Sequence, residues 1–315
     1  MADIKDLFNS MAEEYDDIED LWYSWLFSRL HYLIAITILR KNPPKRVLDI
    51  GCGTGFQSFL YASAGCDVCG IDIAHDLIEI AKKKIQTFQP NKSQLFPPYF
   101  EYVKKYNYFI NNLISNSGGS KSYIPPKFSI GDAVNIHFNN EEFDHVNCCG
   151  STLSFIPDYR KAISEMARVL KRKGSFIVEV ENRWNFTILW YLIDPLIRGK
   201  YELNTDFKIG LKLLAKKFTH NSWINFPFSE KSKPVSMNLN LFTAYSLKRE
   251  LFNYGLKVEK KSSIHSITNL IPCTLLDCSK PSKKLISRFK FLAALEEKLF
   301  FKMPGSSLVL YGHKI

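Results

Sequence analysis

No stretch of this chain is both long and apolar enough to read as a membrane span. Residues 21–39 come nearest, but Arg29 and His31 fall inside that run, where a charge is costly in hydrocarbon. Residues 186–197 are too short and are interrupted by Asp194 and Pro195. Secretion is not expected: the opening is acidic through Asp20, the reverse of a basic segment followed by an apolar run. The expected location is the cytoplasm. The seven cysteines, at 52, 66, 69, 148, 149, 273 and 278, are odd in number and several lie in strand-like runs, so they read as reduced thiols. Cys66 and Cys69 form a C-x-x-C without a second pair or a histidine cluster, so no metal site is expected. There is no internal repeat.

What the chain has is material for a sizeable core. Hydrophobic residues make up 46% and charged residues 23% of its 315 positions, which excludes disorder and allows two domains or one elaborated α/β domain. The net charge of +11 is unevenly placed: residues 1–160 hold 15 Lys and Arg against 19 Asp and Glu, and residues 161–315 hold 27 against 12. A basic half of this kind favours membrane headgroups, nucleic acid or an anionic substrate.

Apolar periodicity orders the elements. A helix is predicted over 5–40, stopped by Asn42-Pro43-Pro44, then a strand at 46–50, a glycine-rich turn, a helix at 56–64, a strand at 68–73 and a helix at 75–85. This alternation builds a parallel sheet with helices on both faces. Residues 86–126, rich in Asn, Ser, Tyr, Lys and Pro, exceed an ordinary connection and read as an insertion with a helix at 99–113. Strands follow at 128–130 and 143–149, a helix at 158–170, a turn at 171–174 and a strand at 175–180. A second insertion begins at 182 and ends near 240. The chain closes with a helix at 244–254, a strand at 256–262, a basic helix at 283–301 and a strand at 308–313. The plan is one doubly wound α/β sheet carrying two inserted segments.

Glycines 51, 53 and 55 stand between a strand and a helix, where the backbone turns sharply and approaches a ligand beside a helix N-terminus. Position 56 is Phe, a departure from G-x-G-x-x-G that argues against NAD. Asp72 ends the second strand, where a carboxylate accepts hydrogen bonds from both hydroxyls of a ribose. Asp132, in Gly131-Asp132-Ala133 at the end of the third strand, is placed to accept one from an exocyclic amine such as adenine N6.

In this order, the segment Val47-Leu48-Asp49-Ile50-Gly51-Cys52-Gly53-Thr54-Gly55 and the two strand-end acids resemble the class I methyltransferases that use S-adenosylmethionine. Phe143-Asp144-His145-Val146, followed by Ala167-Arg168-Val169-Leu170-Lys171-Arg172-Lys173-Gly174, is similar to a later segment of that family, with Lys173 where Pro or Gly is common. The resemblance covers about residues 40–182 and the closing elements. It implies a seven-stranded, mostly parallel, Rossmann-like sheet. An N-terminal helical lid (1–42) would precede one methyltransferase domain (43–315), with insertions at about 86–126 and 183–240. By the same resemblance Asp49, Gly51 and Gly53 border the methionine end of the cofactor, Asp72 the ribose, Asp132 the adenine, and Cys149 and Ser151 the sulfonium. Cys52, Thr54, Gly55, Ile73 and Ala133 complete the expected cofactor contacts. Phe8-Asn9-Ser10-Met11-Ala12-Glu13-Glu14-Tyr15-Asp16 is similar to the opening of the ubiquinone/menaquinone-type methyltransferases, which makes Tyr15 a lid residue.

Methyl transfer from a sulfonium is an in-line displacement, so the protein mainly aligns the reactants and excludes water. A base helps where the acceptor is a hydroxyl or an activated carbon. Glu181, at the end of the fifth strand, is the leading candidate, with His220, His75 and His145 behind it. The second insertion interleaves Trp184, Trp190, Tyr191, Tyr201, Trp223, Phe226 and Phe228 with lysines and Arg198. That mixture suits a small or lipid-like acceptor bearing an anionic group, with peripheral contact to an anionic membrane surface. It also suits single-stranded nucleic acid, although Asn147-Cys148-Cys149-Gly150 stands where base-amine methyltransferases have an N/D-P-P-Y-type motif. A tRNA methyltransferase is therefore the alternative, and a non-catalytic cofactor-binding scaffold the third reading. The oligomeric state is left open.

Overall fold

The computed structural model describes residues 4–16, 21–39, 43–88, 123–184, 187–196, 207–218, 223–230, 233–276, 281–299 and 304–315. Helix α1 (Ile4–Ser10) and a 3-10 turn (Ala12–Glu14) precede α2 (Leu21–Ile34), which runs on as a π turn, Ala35–Leu39. The alternating part follows as β1 (Arg46–Ile50), α3 (Phe56–Ser63), β2 (Asp67–Asp72), α4 (His75–Thr87), β3 (Lys127–Ile130) and β4 (Phe143–Cys148). Next come α5 (Thr152–Phe155), α6 (Tyr159–Val169) and β5 (Leu170–Glu181). After β5 come α7 (Thr187–Leu196), α8 (Phe207–Lys217) and the hairpin β6 (Trp223–Glu230) and β7 (Lys233–Asn240), in the stretch expected to be the second insertion. The chain ends with α9 (Ala244–Asn253), β8 (Leu256–Ile264), α10 (Cys273–Leu276), α11 (Lys283–Leu299) and β9 (Ser307–Lys314).

Seven strands form one sheet in the order β3-β2-β1-β4-β5-β9-β8. The first five run parallel, and β9 inserts antiparallel between β5 and β8. This is the doubly wound, Rossmann-like sheet that the sequence leads one to expect. Strands covered on both faces need unbroken apolar runs, and Val47, Leu48 and Ile50 of β1 are buried accordingly. One face is packed by α2, α3, α4 and α11 through residues such as Leu30, Phe59, Ile78 and Phe289. The other is packed by α6 and α9 through Ile163, Met166, Leu247 and Leu251. Among the described residues no helix is long and apolar enough to cross a membrane.

Two expectations change. The single helix predicted over 5–40 is several short elements. The turn predicted at 171–174 belongs to β5 itself: Phe143 pairs with Leu170 and His145 with Ser175, so Asp144 stands alone opposite four residues. Lys173 takes a positive φ of 62° within this bulge, and Lys171 Nζ holds Asp144 Oδ1 at 2.8 Å. A bulge absorbs extra residues without ending the ladder, which is why a turn-like composition sits inside a strand. The helix predicted at 99–113 lies outside the described residues.

A polar chain runs through the interior beneath β1 and β4. Asn147 Nδ2 donates to Asp49 Oδ1 (2.6 Å), Tyr61 Oη donates to Asn147 Oδ1 (3.3 Å), and Tyr61 Oη also meets His145 Nε2 (2.9 Å). His145 Nδ1 lies 2.8 Å from Ser175 Oγ. Burial lowers the His145 pKa to about 3, so the folded imidazole stays neutral where the unfolded one, near 6.5, takes a proton. Stability from this group is therefore present above pH 6.5 and lost as pH falls toward 3. Asp49 acts in the opposite sense, because burial raises its carboxyl to about 6: its contribution is greatest below the unfolded value and is lost as pH rises through 6. The two are separable by His145→Gln, which keeps a hydrogen-bonding side chain without the titration. At pH 5 the wild type should lose about 2 kcal/mol more than this variant, relative to pH 7, in urea denaturation. Parallel pH dependence of the two proteins would remove His145 as the cause.

Candidate active site

The carboxyl ends of β1, β2, β4 and β5 meet at one edge. After β1, Gly51, Gly53 and Gly55 all take positive φ, at 68°, 51° and 88°. The amides of Gly51 and Cys52 both donate to the Ile71 carbonyl (2.8 and 3.1 Å), which ties the turn to β2. A Cβ on Gly51 would lie 2.2 Å from Thr152 Oγ1, so this position has neither the backbone freedom nor the space for a side chain. The same contact brings the turn after β4 against the turn after β1.

Asp72 closes β2 with a partly buried carboxylate. Its Oδ2 accepts from the Gly53 amide and its Oδ1 from the Ala74 amide, both at 2.9 Å. Burial raises its pKa and the amides oppose that. Exposed Ile73 follows it. Asp49 is buried one level lower, where Ser58 Oγ (2.5 Å) and Asn147 Nδ2 engage its two oxygens; it supports the turn from beneath. Cys52 is buried, and burial pushes its thiol well up.

The N-terminal segment lies against the glycine turn. Gly53 faces the Tyr15 ring, so that a Cβ there would stand 3.5 Å from Cε1. Burial raises the Tyr15 phenol above its usual range, with Asp72 and Asp16 adding to the shift. Asp16 bridges two elements: Thr54 Oγ1 donates to its Oδ1 (2.6 Å) and Lys84 Nζ of α4 to its Oδ2 (2.9 Å). Asn9 Oδ1 accepts from the Asp76 amide in the first turn of α4 (3.1 Å). The Y-D pair in the opening motif is thus a ring over the turn and a carboxylate that anchors it, and the second role is not visible in spacing alone.

On the β4 and β5 side, Gly150 and Ser151 have φ of 77° and 57°. The Ser151 amide donates to Glu179 Oε2 (2.5 Å), and Ser151 Oγ reaches Glu179 Oε1 (3.2 Å) and Glu181 Oε1 (3.0 Å). Glu179 is fully buried, and burial raises its pKa against hydrogen bonds from Ser307 and Ser151. Glu181 ends β5, as the sequence reading expects; Glu179, two residues earlier on the same strand face, is the carboxylate that grips the turn. A Cβ on Gly150 would meet nothing within 4 Å, so this turn opens toward free space. Cys149 is buried, and its carbonyl accepts from Thr152 Oγ1 (2.9 Å).

The remaining candidates separate. Asp132, exposed just past β3, accepts from the Val134 amide (3.0 Å), with Ala133 partly buried beside it. His145 is excluded as a base for an edge site, since it is buried in the body of β4. His75 is an exposed residue of α4 whose Nδ1 pairs with Asp76 (2.9 Å). His220 and Tyr201 lie outside the described residues, as do the side chains of Trp223, Phe226 and Phe228.

A cofactor made of a nucleoside joined to a cationic sulfonium suits this edge. Side-chain-free glycines leave room at the turn, Asp72 offers acceptors at the strand end where a ribose would fit, and nearby acids suit a positive charge. A family model described as a methyltransferase domain matches residues 24–261, well over half of the chain. Demethylmenaquinone methyltransferase of Symbiobacterium thermophilum is 23% identical over 241 residues, covering 72% of this chain and 80% of that protein. The one from Leptospira interrogans is 29% identical over 206 residues, covering 62% and 69%. Among solved structures, a chain from a complex of the Haloferax volcanii Trm112 methyltransferase activator aligns with a TM-score of 0.53 at 13% identity, over 99% of this chain and 97% of that one. The 4+2 cyclase SpnF aligns with 0.54 at 15%, over 99% and 95%. At such identities the solved structures speak for the fold alone. Sheet order, glycine turn and family match agree: the chain belongs to the methyltransferase domain family and is an S-adenosylmethionine-dependent methyltransferase of the class I, Rossmann-like fold.

Proposed function

We propose that this enzyme methylates a small, lipid-like acceptor of the isoprenoid quinol kind, with Glu181 as the proton acceptor. The observation that carries the reading is the Ser151, Glu179 and Glu181 cluster at the carboxyl edge, directly before the aromatic-rich second insertion. Trp184 follows Glu181 by three residues, is 43% exposed, and meets the exposed ring of Phe218 edge to face at 5.3 Å. An apolar acceptor whose ring carries acidic hydroxyls suits an exposed aromatic wall that follows the Glu181 carboxylate in the chain. When bound, S-adenosylmethionine supplies an electrophilic methyl group on a sulfonium. The chain's part is to hold the cofactor through the glycine turn and Asp72, to keep water off with the Tyr15 ring, and to take the acceptor's proton on Glu181. The demethylmenaquinone methyltransferases among its relatives support the acceptor class.

Transfer of labelled methyl from S-adenosylmethionine to demethylmenaquinol in detergent, to a total lipid extract and to total RNA tests this directly. Label in the quinol or in the lipid extract is the expected result; label in RNA alone overturns it. For the cofactor, Asp72→Ala should weaken S-adenosylmethionine binding at least about tenfold, roughly 1.4 kcal/mol, in calorimetric titration, because it removes the ribose acceptor and releases the Gly53 amide. Unchanged affinity would remove Asp72 from the ribose.

A further inference from the structure

One helix face outside the active site carries a charge and apolar pattern that the methyl-transfer chemistry does not use. On α11, Lys284, Arg288, Phe291, Leu295 and Lys298 recur at helical spacing and share one face. Phe291 is 69% exposed and Leu295 37%, and Leu270, in a second 3-10 turn (Thr268–Leu270) that adjoins this helix, is 55% exposed. The three cations of the stripe are exposed as well. Both acids of the helix face elsewhere: Glu296 is buried, and Glu297 stands 3.9 Å from buried Arg29. Beside Phe291 opens a recess of about 520 Å³ lined by Ile271, Ser287, Arg288, Phe291 and Leu292.

We propose that this face of α11 docks the protein on an anionic lipid bilayer. Cations alternating with an exposed aromatic and a leucine are the composition of an interfacial helix, whose apolar side chains enter the headgroup boundary while its cations meet phosphates. The recess is mostly apolar, with Arg288 and Ser287 among its lining residues, which suits an acyl chain beside a cation. A second copy of this chain fits less well, because a two-fold contact would set these cations against themselves. The surface is also tied to the second insertion: Trp190 Nε1 of α7 donates to the Asn269 carbonyl (3.0 Å), next to Leu270. Docking here brings that insertion close to the bilayer.

The inference does not depend on the acceptor proposed above, and its test needs no acceptor. The full chain is sedimented with vesicles of phosphatidylcholine alone and with vesicles that also contain phosphatidylglycerol. Binding is expected on the anionic vesicles only, falling steeply as salt rises. The double variant Lys284→Glu, Arg288→Glu should lower that affinity by about tenfold or more, and Phe291→Ser should lower it at any salt concentration. Thermal midpoint and S-adenosylmethionine affinity should match the wild type in both variants, which separates lost docking from lost folding. The proposal is overturned by absence of vesicle binding, by binding that neither variant changes, or by a lipid-free dimer that Phe291→Ser dissolves.

Discussion

Glu181→Gln is expected to lower kcat by at least about a hundredfold while leaving the affinity for S-adenosylmethionine unchanged. Glutamine keeps the length of the side chain and an oxygen for the Ser151 hydroxyl, which lies 3.0 Å from Glu181 Oε1, but it does not take up a proton at neutral pH. Glu179, also bonded to Ser151, stays in place and holds the turn after β4 through the Ser151 amide. The variant therefore removes the basic function and leaves the local architecture. Steady-state kinetics on the acceptor that takes up label, beside calorimetry with the cofactor, separates the two effects. A kcat within a few fold of wild type would show that alignment alone carries the reaction and would take Glu181 out of the mechanism. A fall in cofactor affinity would instead place Glu181 among the cofactor contacts.

Glu296→Ala should cost about 3 kcal/mol or more of folding stability, the largest effect expected from any single substitution considered for this protein. The Glu296 carboxylate is fully buried and takes hydrogen bonds from five donors. Trp25 Nε1 (3.1 Å) and the His265 amide (3.0 Å) reach Oε1. The Ile267 amide (2.9 Å), the Thr268 amide (3.0 Å) and Thr268 Oγ1 (2.9 Å) reach Oε2. His265 itself has a positive φ of 57° and stacks on Trp22 at 3.7 Å, so this carboxylate holds a strained backbone in place. Alanine would leave several interior donors without an acceptor and open a cavity between α2, α11 and the segment after β8. Urea denaturation of the variant reads the loss; a change below about 1 kcal/mol would mean that water or rearrangement replaces the carboxylate. Glu296→Gln, which keeps one oxygen, should fall between the two proteins.

Much of the cofactor edge is legible in the sequence because it rests on local rules. A β-rich run, three glycines and a helix in succession make a turn that only glycine can follow, and Asp72 is found by counting to the end of the next strand. Glu181 is found in the same way, at the end of β5. The parts that escape are those in which distant segments meet. Glu179 reads as one more strand residue until the turn after β4 is seen to donate its Ser151 amide to it. Asp16 reads as part of an acidic opening until Thr54 and Lys84 are seen on its two oxygens. His145 has the composition of a base, yet its place in the body of β4 removes it from the edge where chemistry takes place.

The sequence by itself determined the alternation of strands and helices, the glycine turn and the acid that follows it, since periodicity and turn chemistry act over a few residues. Tertiary structure alone decided that β9 slips antiparallel between β5 and β8, that Glu179 grips the Ser151 turn, and that Glu296, 271 positions from Trp25 in the chain, joins it to the segment after β8. The reason is physical: a buried carboxylate takes its role from whichever donors folding brings to it, and strand register and burial choose those donors over distances that local spacing does not encode.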